Sequence, residues 1–593
     1  MLPIAIAQFR PRKAAWDANL ARVEDLFRQF AADPVPPELV VFPEAALTGY
    51  FLEGGVREEA RTAEQLYSAL AARHAAAAAP PMDVVIGFYE LFETRLYNSA
   101  LAASLGGPDA GIRHVHRKVF LPTYGVFDEE RFVDPGREVR AFDFRWGRCA
   151  VLVCEDAWHS ILPAIAALDG AQLLVVVSAS PARGLSPSLE TDPPARPTSV
   201  GRWDRIAQQV AGEHGIFVAM AHLAGFEGGK GFQGGSVVIG PGGDLLAGAP
   251  LFEEAVLRTE LDLADIARVR SESPMLSDLE MRLPFLVDQL SRLARMPGAP
   301  SSDPPARPGP SGARPRSRPR GEAPLAIDPD LTRRWLVEFI RDEVVRRRGF
   351  EKVVVALSGG VDSALVAYLA REALGPDHVT AIRLPHQRSS PDSLAHAQLV
   401  IDALGIQAET IDITAAVDGL AEAIGDAPSP ARLGNIMART RMIALFDRSA
   451  ALGALPLGTG NKTERLFGYF TWHADDAPPV NPIGDLFKTQ VWALARHLGV
   501  PSTIVDKPAT ADLVAGQTDE GDFGISYPRA DAILHWLLSG YSVEAVEQAG
   551  FTSEEIALVR RRLDSTHWKR KLPTVAMLSQ TAIGEYYLRP VDY

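Results

Sequence analysis

Between Met296 and Pro324 the chain gives up the means of building a core. The run PGAPSSDPPARPGPSGARPRSRPRGEAP has no apolar periodicity and is dominated by Pro, Gly, Ser and Arg. Such a run buries too little surface to offset the entropy of ordering it. Its prolines favour extended polyproline II, so it should act as a semi-stiff tether. Folding must therefore happen on either side, in residues 1–295 and 325–593, with 296–324 as linker. Length agrees, since 593 residues exceed what one core serves, which is roughly 250–300. Five arginines between Arg307 and Arg320 invite comparison with a nucleic-acid arm. The net charge is −14 and the run holds no aromatic residue to stack on bases, so a solvated linker is the reading, with no nucleic-acid partner.

In the first half, short apolar runs alternate with helical patterns. Ile4–Phe9, Leu39–Phe42, Val84–Tyr89, Cys149–Cys154, Leu173–Val177, Ile216–Ala221 and Ser236–Ile239 read as strands, and Trp16–Ala32 and Ala60–Ala79 as helices. A layered α/β domain is expected. In the second half, Lys352–Leu357 is a buried-type strand leading into a helix from Asp362, and Val379–Leu384 precedes a helix from Ser393. That repetition predicts a doubly wound parallel sheet. No apolar run is long enough to cross a membrane, and MLPIAIAQFRPRK is too short and wrongly flanked for a signal peptide. The two cysteines, Cys149 and Cys154, lie in one strand-like run that poorly suits a disulfide. Reduced thiols and no membrane span predict a cytoplasmic protein.

Three polar or reactive residues stand where apolar runs end: Glu44 in VVFPEAALTGY, Lys118 in HRKVFLPTYGVFDEERF and Cys154 in CAVLVCEDAW. A cysteine attacks an amide as thiolate, and a neighbouring lysine lowers its pKa. A carboxylate can take the thiol proton and return it to departing ammonia, while an ammonium stabilises the oxyanion. Taken singly, the same residues read as a small core hydrophobe and solvated charges. Spacing alone does not bring them together.

FPE, RK…LP.Y.VFDE.R.F and CEDAW, in this order across residues 1–290, closely resemble the nitrilase, or carbon–nitrogen hydrolase, superfamily. The resemblance implies Glu44 as general base, Lys118 as oxyanion stabiliser, Cys154 as nucleophile and Glu129 as a supporting glutamate. It also implies a four-layer αββα sandwich that pairs with a second copy, hence a homo-oligomer. Cys149 has no counterpart and reads as core packing. In glutamine-using members an aromatic pair and a Ser-containing loop hold the amino-acid portion of the substrate. Tyr124 and Phe127 fit the pair and Ser180 the loop. Arg183 is the basic residue nearest the place where the family pairs with the substrate carboxylate, in a loop, ARGLSPSLETDPPARPTS, that is longer and richer in proline than the family's.

The second half contains VVVALSGGVDSALVAYLA, a buried strand ending in Ser358-Gly359-Gly360-Val361-Asp362-Ser363 before a helix. Glycines let backbone N–H groups close on an anion, and the helix N-terminus adds a favourable field. Ser358 and Ser363 offer hydroxyls, and Asp362 can hold magnesium. A glycine turn without ligand is the alternative; GxxxxGK[ST] is absent.

SGG.DS resembles the loop of ATP pyrophosphatases, which by itself does not choose among NAD synthetases, GMP synthetases, asparagine synthetases and tRNA-modifying enzymes. GTGNKTE (Gly458–Glu464), GYFT, Asp485–Gln490, PATADL…GQTDE and His567–Arg570 closely resemble NAD synthetases over residues 325–575. The two halves together resemble the glutamine-dependent members of that family. This implies amidation of deamido-NAD+ through an adenylylated carboxylate, using ATP, Mg2+ and ammonia released from L-glutamine. The alternative is an ammonia-dependent enzyme whose amidase half takes another amide. By resemblance the 358–363 loop, Thr459 and Lys488 bind ATP, and Asn435 and Lys569 contact deamido-NAD+. Glu464 shares magnesium with Asp362 or touches the dinucleotide. His396 stands where the family often has Asp, a departure inside the nucleotide half.

Overall fold

The computed structural model describes residues 1–52, 55–124, 127–184, 196–295, 325–425, 427–510 and 518–570. The chain divides into two compact units, the first including Met1–Gly184 and Pro197–Arg295, the second Leu325–Arg570. The linker run and most of the loop after Gly184 lie outside the described residues.

The first unit holds two six-stranded sheets. One runs β14 (Ala255–Leu261), β1 (Leu2–Gln8), β2 (Leu39–Val41), β3 (Met82–Phe92), β4 (Arg95–Leu105), β5 (Gly111–Arg117). The other runs β13 (Leu245–Gly248), β12 (Val237–Ile239), β9 (Phe217–His222), β8 (Leu173–Ser178), β7 (Gly147–Val153), β6 (Ala141–Phe144). The centres are parallel, β1–β2–β3 and β7–β8–β9, and the edges antiparallel. A hairpin of β10 (Ala224–Glu227) and β11 (Lys230–Gln233) stands apart.

Strand periodicity of two explains the layering. Ile4 and Ile6 of β1 join Val151, Val153 and Val175 in a core between the sheets, while Ala5 and Ala7 turn to a second core with Leu20, Val23, Phe27 and Phe30. Those four residues share one stripe of the helix Trp16–Ala31, at the spacing of an amphipathic face. Beside it the helix Ala63–Ala76 begins at a capping box between Thr62 and Gln65, which is why it starts later than the apolar pattern suggests. Trp203, Ala207 and Ala211 of the helix Thr198–His214 cover the far side of the other sheet. The order is αββα. Full burial of each large apolar side chain contributes about 1.5–3 kcal/mol.

The second unit has one parallel sheet, β17 (Gln407–Thr410), β16 (Val379–Arg383), β15 (Lys352–Ala356), β18 (Ala454–Leu457). Val353 and Val355 pack on the helix Val361–Leu374, and Val354, with Ile382, on the helix Pro430–Leu452. Helices thus cover both faces. Strand order reverses between β15 and β18, the place where open α/β sheets bind ligands.

One glycine decides how Glu44 is held. A Cβ on Gly87 of β3 would lie 2.4 Å from the Glu44 Cα and 2.7 Å from the Pro43 carbonyl oxygen. Gly87→Ala is expected to destabilise the first unit by about 1–3 kcal/mol through overpacking. Calorimetry should show its unfolding midpoint lowered, and an unchanged midpoint would contradict this account.

Candidate active sites

Both units place a buried lysine between two carboxylates. In the first, Lys118, at the end of β5, is fully buried. Its Nζ donates to Glu44 Oε1 at 2.9 Å and to Glu129 Oε1 at 3.0 Å. Asn98 of β4 donates to the same two oxygens, at 2.7 and 2.9 Å. The other Glu44 oxygen accepts the Ala179 backbone N–H at 2.6 Å. Burial opposes the lysine charge, but Glu129 and Glu44 outweigh it and carry Lys118 well above its ordinary range. Burial raises the Glu129 carboxyl against the pull of Lys118.

Cys154 leaves β7 at φ 47°, a left-handed conformation costly for a side-chain-bearing residue. The turn is held by Asp156, fully buried. One of its oxygens accepts the Val119 and Phe120 N–H groups, both at 2.9 Å, and the other accepts Val153 N–H at 3.2 Å and faces His116 Nε2 at 2.8 Å. Asp156 thereby ties the cysteine turn to the lysine segment. Ser178 at the end of β8 donates to Cys154 Sγ at 3.4 Å. The expected acidic thiol is not what the resting site provides: burial first, then the Glu44 charge, push Cys154 well above its ordinary value, and Lys118 opposes without winning. The thiol rests protonated, so attack needs a base. Cys149 is fully buried in the core and both cysteines are free.

Around this centre lie Tyr50, Phe51, Tyr124, Phe127 and Phe232. Phe127 stacks on Phe51 at 6.3 Å and meets Tyr124 edge-on at 5.9 Å. Tyr124 donates its hydroxyl to Glu155 at 2.8 Å, next to the cysteine. The Arg183 guanidinium sits 5.7 Å from the Phe127 ring. Ser180 is buried and accepts the Trp203 indole N–H at 2.7 Å. The sequence reading thus named Glu44, Lys118, Glu129, Cys154, Tyr124 and Phe127, but not Tyr50, Phe51, Phe232, Asn98, Asp156, Glu155 or Ser178.

In the second unit a cleft of about 340 Å³ opens at the ends of β15 and β18. Ser358, Gly360, Val361, Asp362, Ser363, Thr459, Glu464 and Lys488 line it. Gly359 does not; it turns at φ 78°, and a Cβ there would lie 2.2 Å from the Ser393 carbonyl oxygen. Lys488, almost fully buried, donates to Asp362 and, at 3.3 Å, to Glu464 Oε1. Asn461 donates to Asp362 at 2.9 Å and caps the helix that carries Glu464. Tyr527 donates to Asp519 at 2.9 Å and to Glu464 at 3.4 Å. Burial pushes Glu464 up to about 7, Lys488 opposing and Asp362 and Asp519 adding. Two expected residues stand off the cleft. Lys569 gives its ammonium to the Gly468 and Phe470 carbonyls, at 2.8 and 3.0 Å, and Asn435 is exposed and accepts the Thr471 hydroxyl at 3.2 Å. Among the described residues no helix is long and apolar enough to cross a membrane.

A carbon–nitrogen hydrolase model matches residues 3–271 and an NAD synthase model residues 333–573. A glutamine-dependent NAD(+) synthetase of Thermotoga maritima is 30% identical over 608 aligned residues, covering 100% of this chain and 98% of that one. The chain belongs to the glutamine-dependent NAD(+) synthetase family. An NH(3)-dependent NAD(+) synthetase of Chlorobaculum parvum is 48% identical over 265 residues, 44% of this chain and 94% of that one. A solved glutamine-dependent NAD+ synthetase of Acinetobacter baumannii shares the fold, with TM-score 0.68 at 22% identity over 99% of this chain and 97% of that one.

The Cys154 environment has a checkable electrostatic consequence. Glu44→Gln removes a negative charge that disfavours the thiolate, so the thiol's apparent pKa falls. If Glu44 also serves as the base, the same change lowers amide hydrolysis by about 10²–10⁴. Iodoacetamide alkylation against pH in a Cys149→Ala background should show a more acidic thiol in the less active enzyme. A thiol pKa that stays put or rises defeats this account.

Proposed function

We propose that this family member makes NAD+ by amidating deamido-NAD+ with ammonia cut from L-glutamine, and that the two lysine–carboxylate centres divide the work. The observation that carries the amidase half is the single network joining Lys118, Glu44, Glu129 and Ala179, one residue from the Ser178 that touches Cys154. Cys154 Sγ attacks the carboxamide carbon as its proton passes to Glu44. Glu44 and Glu129 account for two of the three Lys118 donors, leaving one for the oxyanion. The C–N bond breaks and the Glu44 proton leaves with ammonia; water then attacks the thioester with Glu44 again as base, the C–S bond breaks, glutamate is released and Glu44 returns the proton to Cys154. Tyr124 and Phe127 enclose the substrate, Ser180 lines its loop, Glu155 complements the α-ammonium and Arg183 the α-carboxylate.

In the second unit the Ser358–Ser363 loop and Thr459 seat the triphosphate, and Lys488 offsets its charge. The deamido-NAD+ carboxylate attacks the α-phosphorus and pyrophosphate leaves. Ammonia then attacks the acyl-adenylate and AMP departs, which suits an amidase partner because free ammonia at neutral pH is mostly non-nucleophilic ammonium. Magnesium fits here, since Asp362 and Glu464 already stabilise a cation between them, with phosphate oxygens left to complete the shell. Bound there, it would add charge stabilisation to phosphoryl transfer. Asn435 and Lys569 belong to the deamido-NAD+ side of this reading, Lys569 by shaping the Gly468–Phe470 turn. A homo-oligomer is part of the reading: Met281, Phe285, Leu290 and Leu293 stand exposed on the helix Met275–Arg295, a surface suited to a second copy. Two free thiols support a cytoplasmic setting.

Cys154→Ala should abolish NAD+ formation from glutamine and keep it from ammonium, with AMP released in step. Equal loss with both donors would sink the reading. Wild type active with ammonium but not glutamine would turn it to another amide.

A further inference from the structure

The helix Lys488–His497 carries the cleft's ammonium on its first residue, and its own Gln490 side chain covers only the Phe487 N–H, at 2.9 Å. Phe487 stands at the N-cap and offers no acceptor, although first-turn N–H groups need one. The acceptor comes from another element. Asp531, fully buried on the helix Tyr527–Leu538, takes the Thr489 N–H at 2.9 Å and the Thr489 hydroxyl at 2.8 Å on one oxygen. Its other oxygen takes the Thr463 hydroxyl at 2.6 Å. Thr463 Oγ1 in turn accepts the Lys488 backbone N–H at 3.1 Å. Thr463 directly precedes Glu464 and Thr489 directly follows Lys488. One carboxylate therefore holds the threonine next to each of Glu464 and Lys488, whose side chains meet in the cleft, while Asp531 itself does not line it.

We propose that Asp531 is a positioning residue of the ligase reaction, setting Lys488 against Asp362 and Glu464 before ATP arrives. The inference rests on the synthetase reading of this cleft. The geometry demands a carboxylate, because three donors converge on its two oxygens. Asparagine keeps one acceptor oxygen and turns an NH2 group toward another donor. A buried donor left unpaired then displaces the first turn of the lysine helix.

The test uses the full chain and ammonium-dependent NAD+ formation from deamido-NAD+ and magnesium-ATP, beside glutamine hydrolysis by the same preparation. Asp531→Asn should lower the ammonium-dependent kcat by about 10–100-fold, as loss of an outer partner does elsewhere, with glutamine hydrolysis and the ATP KM held within about threefold. Thr463→Val and Thr489→Val each delete one arm without changing side-chain size. Each should lose part of that kcat, and adding Asp531→Asn to either should cost less than the sum. Assays run well below each variant's unfolding midpoint separate positioning from folding. The proposal falls if kcat stays near wild type in both valine variants, if the losses simply add, or if they vanish at lower temperature. Should Asp531→Asn fail to fold, the valine pair alone decides. Wild type inactive on deamido-NAD+ would overturn the synthetase reading instead.

Discussion

An ammonium group removed from water must find its compensation inside the protein. The desolvation of one buried charge costs several kcal/mol, so an unpaired lysine there would not stay charged. Each unit is organised around one such group, and in each one of the two compensating carboxylates comes from chain far away in sequence. Glu44 and Glu129 approach Lys118 from the ends of different elements; Asp362 and Glu464 do the same for Lys488. The rest of each site can be read as the scaffolding this pairing requires. Gly87 lets the Glu44 turn close up, Asp156 ties the lysine segment to the cysteine turn, and Asn461 anchors the Asp362 carboxylate.

The same demand explains the division of chemistry. In the first unit the carboxylates lie buried around the lysine beside a thiol that burial and the Glu44 charge push up. In the second, carboxylates and ammonium face an open cleft large enough for phosphates. One motif of charge is thus closed off in the first unit and faces an open cleft in the second.

Much of this was legible in the residues because local pattern and local chemistry coincide there. β1, β7, β8 and β15 are built on apolar runs, and Cys154 and Ser358–Ser363 sit where such runs stop, whereas Lys118 follows the mixed strand β5 and was marked only by its motif. Residues that act only through tertiary contact left no such mark. Asn98 sits within β4 and looks like any strand polar residue until Glu44 and Glu129 are seen on either side of it. Asp531 lies in a helix about 40 residues beyond the lysine it steadies. Lys118 pulls the cysteine down as expected, but sequence carries no measure of burial, and burial with the Glu44 charge decides the net direction. Lys569 was placed on the dinucleotide by motif; the backbone carbonyls it holds could not be foreseen from spacing.

The end of β8 has a mechanical meaning. Ser178 touches Cys154 and Ala179, the next residue, holds Glu44. Two consecutive residues of one strand end therefore fix the thiol and the carboxylate together. Their relative position is set by a single short piece of backbone, like two hands of one clamp. A change that shifts this strand end acts on both partners at once.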